Sequence, residues 1–234
     1  MGYKSDPRAK LILEVIGVTF LGLILSLSLG IIFSISLDFL GYDPDSIFVI
    51  LSSTILAQIG FLILAYLYIR KKRIIAPIAF PSRTDLKYIG WGTTLALIIA
   101  IGLQMFLVIF DLVPESALEE IAATHPNILL VLAFLSVVLI APAEELLFRG
   151  AIQGRLREGL SSRSAVIIAS VLFGALHIGN YVGELLPILL AVSIIVIVSV
   201  ILGAIYEKSK NLVVPISIHA IYNVVLLLMS YAAL

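Results

Sequence analysis

Apolar runs long enough to cross a lipid bilayer recur seven times in this chain. Nothing else in the sequence limits its folds so strongly. The runs lie at roughly 11–37, 47–69, 89–110, 128–148, 163–179, 185–206 and 213–233. Each is close to the ~20 residues that a helix needs to span the hydrocarbon core. They are too long for barrel strands and lack the alternation with a period of two that such strands show. The composition agrees, with 61% hydrophobic and 13% charged residues against about 45–50% and about 25% in soluble domains. The expected fold is all-α: a polytopic transmembrane helical bundle of about seven spans, with six to eight as the range. No repeat or linker divides it, so residues 1–234 read as a single domain. The first run is also longer than the roughly 7–15 apolar residues of a signal peptide, so no cleavable leader is expected.

Charge sorting sets the expected orientation. The basic residues precede the first span (Lys4, Arg8, Lys10), follow the second (Arg70, Lys71, Lys72, Arg73, Arg83, Lys87), follow the fourth (Arg149, Arg155, Arg157, Arg163) and follow the sixth (Lys208, Lys210). All fall on one side. The opposite loops hold acids only: Asp38, Asp43, Asp45, Asp111, Glu115, Glu119, Glu120 and Glu184. The positive-inside rule then places the N-terminus in the cytosol and the C-terminus outside. The basic run of the loop around 70–88, with Pro77 and Pro81, is expected chiefly to set topology and touch anionic headgroups, with a short interfacial helix as the alternative, and a re-entrant or extra short helix is expected, if anywhere, near 180–190. The net charge of zero gives no sign of a nucleic-acid partner, and the absence of cysteine excludes disulfides and thiol nucleophiles.

Three polar motifs interrupt the apolar spans. A charged side chain in a bilayer costs roughly 2.5–3.5 kcal/mol on insertion scales and usually marks function. The fourth span carries Glu144-Glu145-x-x-x-Arg149. Adjacent helical residues point about 100° apart, so the two acids are expected in different environments. Arg149 lies four residues after Glu145 in the favoured pairing order, which makes it the structural partner of Glu145 and leaves Glu144 to face a cavity. A desolvated carboxylate there suits a general base; the bland alternative is a pair of acids marking a helix end. The short fifth span, rich in small residues (Ala165, Ala169, Ser170, Gly174, Ala175), suits the bundle interior and ends Phe173-x-x-x-His177. Its imidazole can exchange a proton near neutral pH or bind a metal, or simply hydrogen-bond at the interface. The seventh span carries His219-x-x-x-Asn223. That spacing aims both side chains at one spot, either as donors to a developing oxyanion or as polar glue between helices. Glu14, a lone acid in the first span, is expected to snorkel or pair with Lys10. Gln58 and Gln104 read as helix–helix hydrogen-bonding residues.

Together these motifs, in this order and in a polytopic bundle, resemble the CPBP family of intramembrane proteases, which includes type II CAAX prenyl endopeptidases and bacteriocin-processing or immunity proteins. The resemblance spans about 144 to 223, within a core of 128–233. It implies an intramembrane endopeptidase acting on a membrane-associated peptide, prenylated CAAX-type substrates included, in a multi-pass protein of the cell membrane with its site toward the cytosol. Carried onto this chain, it makes Glu144 and His177 the water-activating pair and His219 and Asn223 the oxyanion donors, with Glu145, Arg149 and Phe173 in support. The partners expected are membrane lipids and a peptide or lipidated peptide.

Glu144, His177 and His219 also compose a two-histidine, one-carboxylate set of the kind that holds catalytic zinc. Metal-free activation is preferred, because zinc on Glu144 would leave only Glu145 as a base. A non-catalytic transporter or immunity protein, using the same groups for proton relay or packing, is the other class of reading. Depth sets a condition on all of these. At about 1.5 Å per residue, His219 lies about 9 Å from the start of its span, Glu144 about 6–8 Å from a helix end at Arg149, and His177 about 20 Å in. The three meet only if the fourth helix runs past Arg149 toward Leu156 and the fifth begins near Ser161.

Overall fold

The computed structural model describes residues 6–234; Lys4, counted above among the basic residues, lies outside them. Seven long helices have the length and hydropathy of membrane spans, and the protein is a multi-pass helical membrane protein. They are α1 (Pro7–Phe39), α2 (Ile47–Lys72), α3 (Arg83–Ile109), α5 (Ile128–Leu156), α6 (Ser162–Leu176), α7 (Leu185–Ser209) and α8 (Val213–Ala233). A short helix, α4 (Ala117–Thr124), sits in the loop before α5. The only strands among the described residues are β1 (Glu115–Ser116) and β2 (Tyr181–Val182), an antiparallel pair of two residues each. The extra short helix thus falls at 117–124. Near 180–190 there is a single 3-10 turn, Ile178–Asn180.

Helix boundaries follow local chemistry. Ser46 caps α2, and α3 opens on a capping box in which Ser82 and Asp85 bond each other's backbone N–H. Ser161 caps α6. Arg70, Lys71 and Lys72 fill the last turn of α2, where cations complement the helix dipole. The 70–88 loop forms no interfacial helix: residues 74–82 are irregular. This segment is held instead by the buried Asn211. Its Oδ1 accepts from the Ala79 N–H at 3.1 Å, its Nδ2 donates to the Ala79 carbonyl at 3.0 Å, and the Leu212 N–H donates to Pro77 at 2.8 Å. A loop whose backbone is satisfied by a side chain need not coil to satisfy itself.

Two apolar cores organise the bundle. One joins α1, α2, α5 and α6 through residues such as Val15, Ala65, Leu147, Phe148 and Ala169. The other joins α3, α7 and α8 through Ala96, Leu202, Val214 and Ile218. The small residues of the fifth span perform as expected at Ala165, Ala169, Ser170 and Gly174, all buried. A Cβ on Gly174 would collide with Val196 of α7. Ala175 is the exception and is exposed. Outward faces are apolar, as contact with lipid requires: Phe20, Ile24 and Ile31 on α1 are more than half exposed.

Glu14 does not pair with Lys10. It takes Lys72 Nζ at 2.6 Å, Arg155 Nη2 at 2.9 Å and the Tyr68 hydroxyl at 2.6 Å. One carboxylate therefore ties α1 to α2 and α5 near their basic ends. Replacing Asn211 with Ala removes both hydrogen bonds that hold the Ala79 backbone, a segment that is itself exposed. It is expected to lower stability in detergent by about 0.5–1.5 kcal/mol, read by thermal unfolding.

Candidate active site

The polar motifs meet at the seam between the two apolar cores, and the shape of α5 brings them there. This helix runs unbroken from Ile128 to Leu156, past Arg149, and α6 starts at Ser162, as the depth condition requires. Pro142 has no N–H to give the ladder. Around it α5 widens into π-helical stretches at Ser136–Ile140 and Leu146–Gln153, with an α-helical turn, Ala141–Glu145, between them. Such bulges recur at functional sites because they re-aim side chains.

Arg149, Glu145 and His219 form a chain of buried polar groups. Arg149 and Glu145 are fully buried, their Nε and Oε2 3.0 Å apart. The Arg149 Nη2 also donates to the Ser199 carbonyl at 3.3 Å and hydroxyl at 3.1 Å, anchoring α5 to α7. Arg149 is thus no loop cation, as the charge sorting had it, but part of the interior. The other Glu145 oxygen lies 2.9 Å from His219 Nδ1. A carboxylate paired with Arg149 accepts, so the Nδ1–H of His219 donates and its Nε2 is left for other work. Nε2 lies 3.8 Å from Glu144 Oε2.

The two glutamates occupy different environments, Glu145 sealed against Arg149 and Glu144 facing a cavity, and one imidazole links them. His219 sits between them, one at each ring nitrogen, because α8 packs into the angle that their side chains open. Glu144 is further held by Gln58 of α2, whose Nε2 donates to Oε1 at 3.2 Å. Phe173 is buried at the centre: the Arg149 guanidinium lies 5.4 Å from its ring centroid, and Phe148 and His219 meet the ring edge-on at 4.9 and 5.8 Å. His177, half-buried at the end of α6, brings its Nδ1 within 2.9 Å of the Phe173 carbonyl. A carbonyl can only accept, so Nδ1 carries the proton and Nε2 is the free acceptor.

Glu144, His177, His219 and Asn223 all line one chamber of about 770 Å³, together with Arg149, Phe173 and Ser199. Its walls are mostly apolar, with Leu, Ile, Val and Met the main contributors. Exposed Val113, Glu119, Asn180 and Ser230 rim it, at the end of the bundle that carries the acidic loops. A cytosolic mouth and the charge rule therefore do not hold together. The contradiction arises because His177 closes the far end of α6, where the chamber begins.

Among the described residues, no group of three His, Asp or Glu side chains is gathered to hold a metal ion. Gln58 engages Glu144 at Oε1 and Glu145 engages His219 at Nδ1, which leaves Glu144 Oε2 and His219 Nε2 without a hydrogen-bond partner, 3.8 Å apart. Gln58 and Ser199 are the supports that the motifs did not reveal. Gln58 was legible as a lone amide in an apolar span, but its partner was not; Ser199 carried no signal.

Residues 126–225 match the family model described as Type II CAAX prenyl endopeptidase Rce1-like. The matched stretch is shorter than half of the chain and contains all three motifs. Comparison with curated proteins and with solved structures gave no match. The family match supports the CPBP resemblance, a group of CAAX-type membrane proteases, and covers the helices that carry the three motifs, while α3 and the 113–119 segment of the chamber wall lie outside it.

Replacing Arg149 with Met strands a buried carboxylate and is expected to cost about 3–5 kcal/mol in unfolding experiments. Removing both charges, with Glu145→Leu added, should recover a large part of that loss.

Proposed function

We propose that the protein is an intramembrane endopeptidase that hydrolyses a peptide bond of a membrane-associated substrate by activating water without a metal. The observation that carries this reading is the convergence of Glu144, His177, His219 and Asn223, from three helices, on one apolar chamber. The family match points to the same reaction class. Chambers with apolar walls and a few convergent polar groups are where binding and chemistry concentrate.

Glu144 takes a proton from a water whose second hydrogen is accepted by His177 Nε2. The resulting hydroxide adds to the carbonyl carbon of the scissile bond. The carbonyl electrons move to oxygen, where Asn223 Nδ2 donates, joined by His219 when its Nε2 carries a proton. Collapse of the tetrahedral intermediate breaks the C–N bond, and the proton held by Glu144 passes to the departing amine. Glu145 positions the His219 ring, and Arg149 holds Glu145. Gln58 orients the base. The water-excluding apolar walls strengthen each of these electrostatic interactions. A chamber of this size and lining accommodates an extended peptide or a lipidated one.

The decisive experiment compares membranes containing the wild-type protein with membranes containing Glu144→Gln, by mapping new peptide termini. Loss of the general base is expected to reduce cleavage by about 10²–10⁴-fold, with helix content and thermal unfolding unchanged. A folded Glu144→Gln protein with undiminished cleavage, or a wild type that generates no new termini, overturns the assignment. Asn223→Ala is expected to lower the rate by about 10²–10³-fold with little change in KM, as removal of an oxyanion donor does.

Metal-free activation has its own test. Chelator treatment of the purified protein should leave cleavage intact, and elemental analysis should find no stoichiometric metal. Activity lost on chelation and restored by zinc would replace the Glu144 and His177 scheme with a metal-based one.

A further inference from the structure

We infer that substrate enters the chamber from the non-cytosolic face of the membrane, so that the bond cleaved belongs to a segment in the outer half of the bilayer or beyond it. This inference rests on the proteolytic reading for its chemistry, but on the shape of the bundle and its charge for its direction.

The chamber is one-sided. From α3 it takes residues from Ala100 to Ile109, and from α7 residues from Ala191 to Leu202. From α8 it takes His219 to Ser230, and from α6 only Phe173 with His177 just beyond. The lining runs from the ends that lead into the acidic loops and the C-terminus, through the middle of the bundle, to Arg149, Leu202 and His219 in the half nearer the basic loops. Beyond those three, the last turns at the basic ends contribute nothing to its lining among the described residues. Leu212, Val214 and Ile218, each with 0% exposure, fill that end. Gln153 stitches α5 to α7 there by donating to the Gly203 carbonyl at 3.2 Å and to Glu207 at 2.9 Å. Asn211 clamps the 77–79 segment at the same end. The chamber is therefore blind toward the basic loops and deepest at Arg149 and Leu202.

Charge gives that axis a direction. Arg8, Lys10, Arg70 to Arg73, Arg83, Lys87, Arg155, Arg157, Arg163, Lys208 and Lys210 all lie at the blind end. The loops of the open end contain no lysine or arginine. An excess of basic residues on short loops is retained on the cytosolic side, which places the mouth outside. On the side facing lipid, Gln104 and Met105 of α3 line the chamber while remaining exposed, so a membrane-anchored segment can reach it laterally. The rim itself is acidic, with Glu119 lining it and Glu115 beside it. The substrate is thus a membrane-anchored peptide with an apolar stretch for the chamber and a neutral or basic flank outside. A lipidated C-terminus confined to the cytosol would meet the closed end.

The absence of native cysteine makes direct measurement simple. Single-cysteine variants Ser230→Cys at the rim, Leu226→Cys inside the chamber and Lys210→Cys at the blind end are treated with a small membrane-impermeant thiol reagent, in intact cells and in inverted vesicles. Ser230→Cys and Leu226→Cys are expected to react in intact cells and to be protected in inverted vesicles, with Lys210→Cys showing the reverse. Ser230→Cys reacting only in inverted vesicles would show the opposite orientation. Leu226→Cys reacting only from the side where Lys210→Cys reacts would show a mouth at the basic end. Either result overturns the inference. Thiol labelling needs no turnover, so failure here is separable from failure of the Glu144→Gln experiment.

Discussion

A guanidinium with no exposed surface, in the interior of a lipid-embedded bundle, must have its charge answered by the protein. Arg149 is answered by Glu145 along its own helix and by Ser199 on α7. Glu145 is then obliged to use its second oxygen, and it does so on His219 of α8. One desolvated ion pair thereby connects three helices and sets the rotation of the imidazole that faces the chamber. Such a pair adds little net stability over a well-packed apolar replacement. Its role here is directional: the groups that do chemistry are held by groups that cannot move without losing a partner.

The same logic explains the shape of α5. Pro142 removes one rung of the ladder, which the helix accommodates by widening over Ser136–Ile140, and a second widened stretch follows at Leu146–Gln153 beyond the Glu144–Glu145 turn. In lipid this is tolerated only where protein surrounds the irregular backbone; Ala141 and Ala143, both with no exposed surface, show how closely neighbours approach. The widened helix lies between the two apolar cores. The polar residues it carries therefore face neither lipid nor a packed core but the space left at the seam.

Much of this was legible in the chain. Seven spans, the continuation of the fourth helix to Leu156, the start of the fifth at Ser162 and the Glu145–Arg149 pair all follow from run length, helical rise and the i, i+4 rule. The supports of the site were not. Gln58 is 86 positions from Glu144 and Ser199 is 50 from Arg149, and no periodicity relates residues on helices that meet only in three dimensions. The separation of Glu144 from Glu145 was legible, but the imidazole that stands between them was not. A helical wheel gives the angle between two side chains but not what packs into that angle. Glu14 was misassigned to its neighbour in sequence because its true partners, Lys72 and Arg155, come from other helices.

By itself the sequence determined that the chain lives in a membrane, how many spans cross it, and which few residues are too costly to place in lipid without a purpose. These are local properties, set by transfer free energy and backbone geometry residue by residue. Only the tertiary structure decided that one imidazole stands between both carboxylates, that the chamber is closed at the basic end, and which helices brace the catalytic candidates. Those facts depend on how helices rotate and slide against one another. That arrangement is settled by the packing of many small contacts at once, which no single segment encodes.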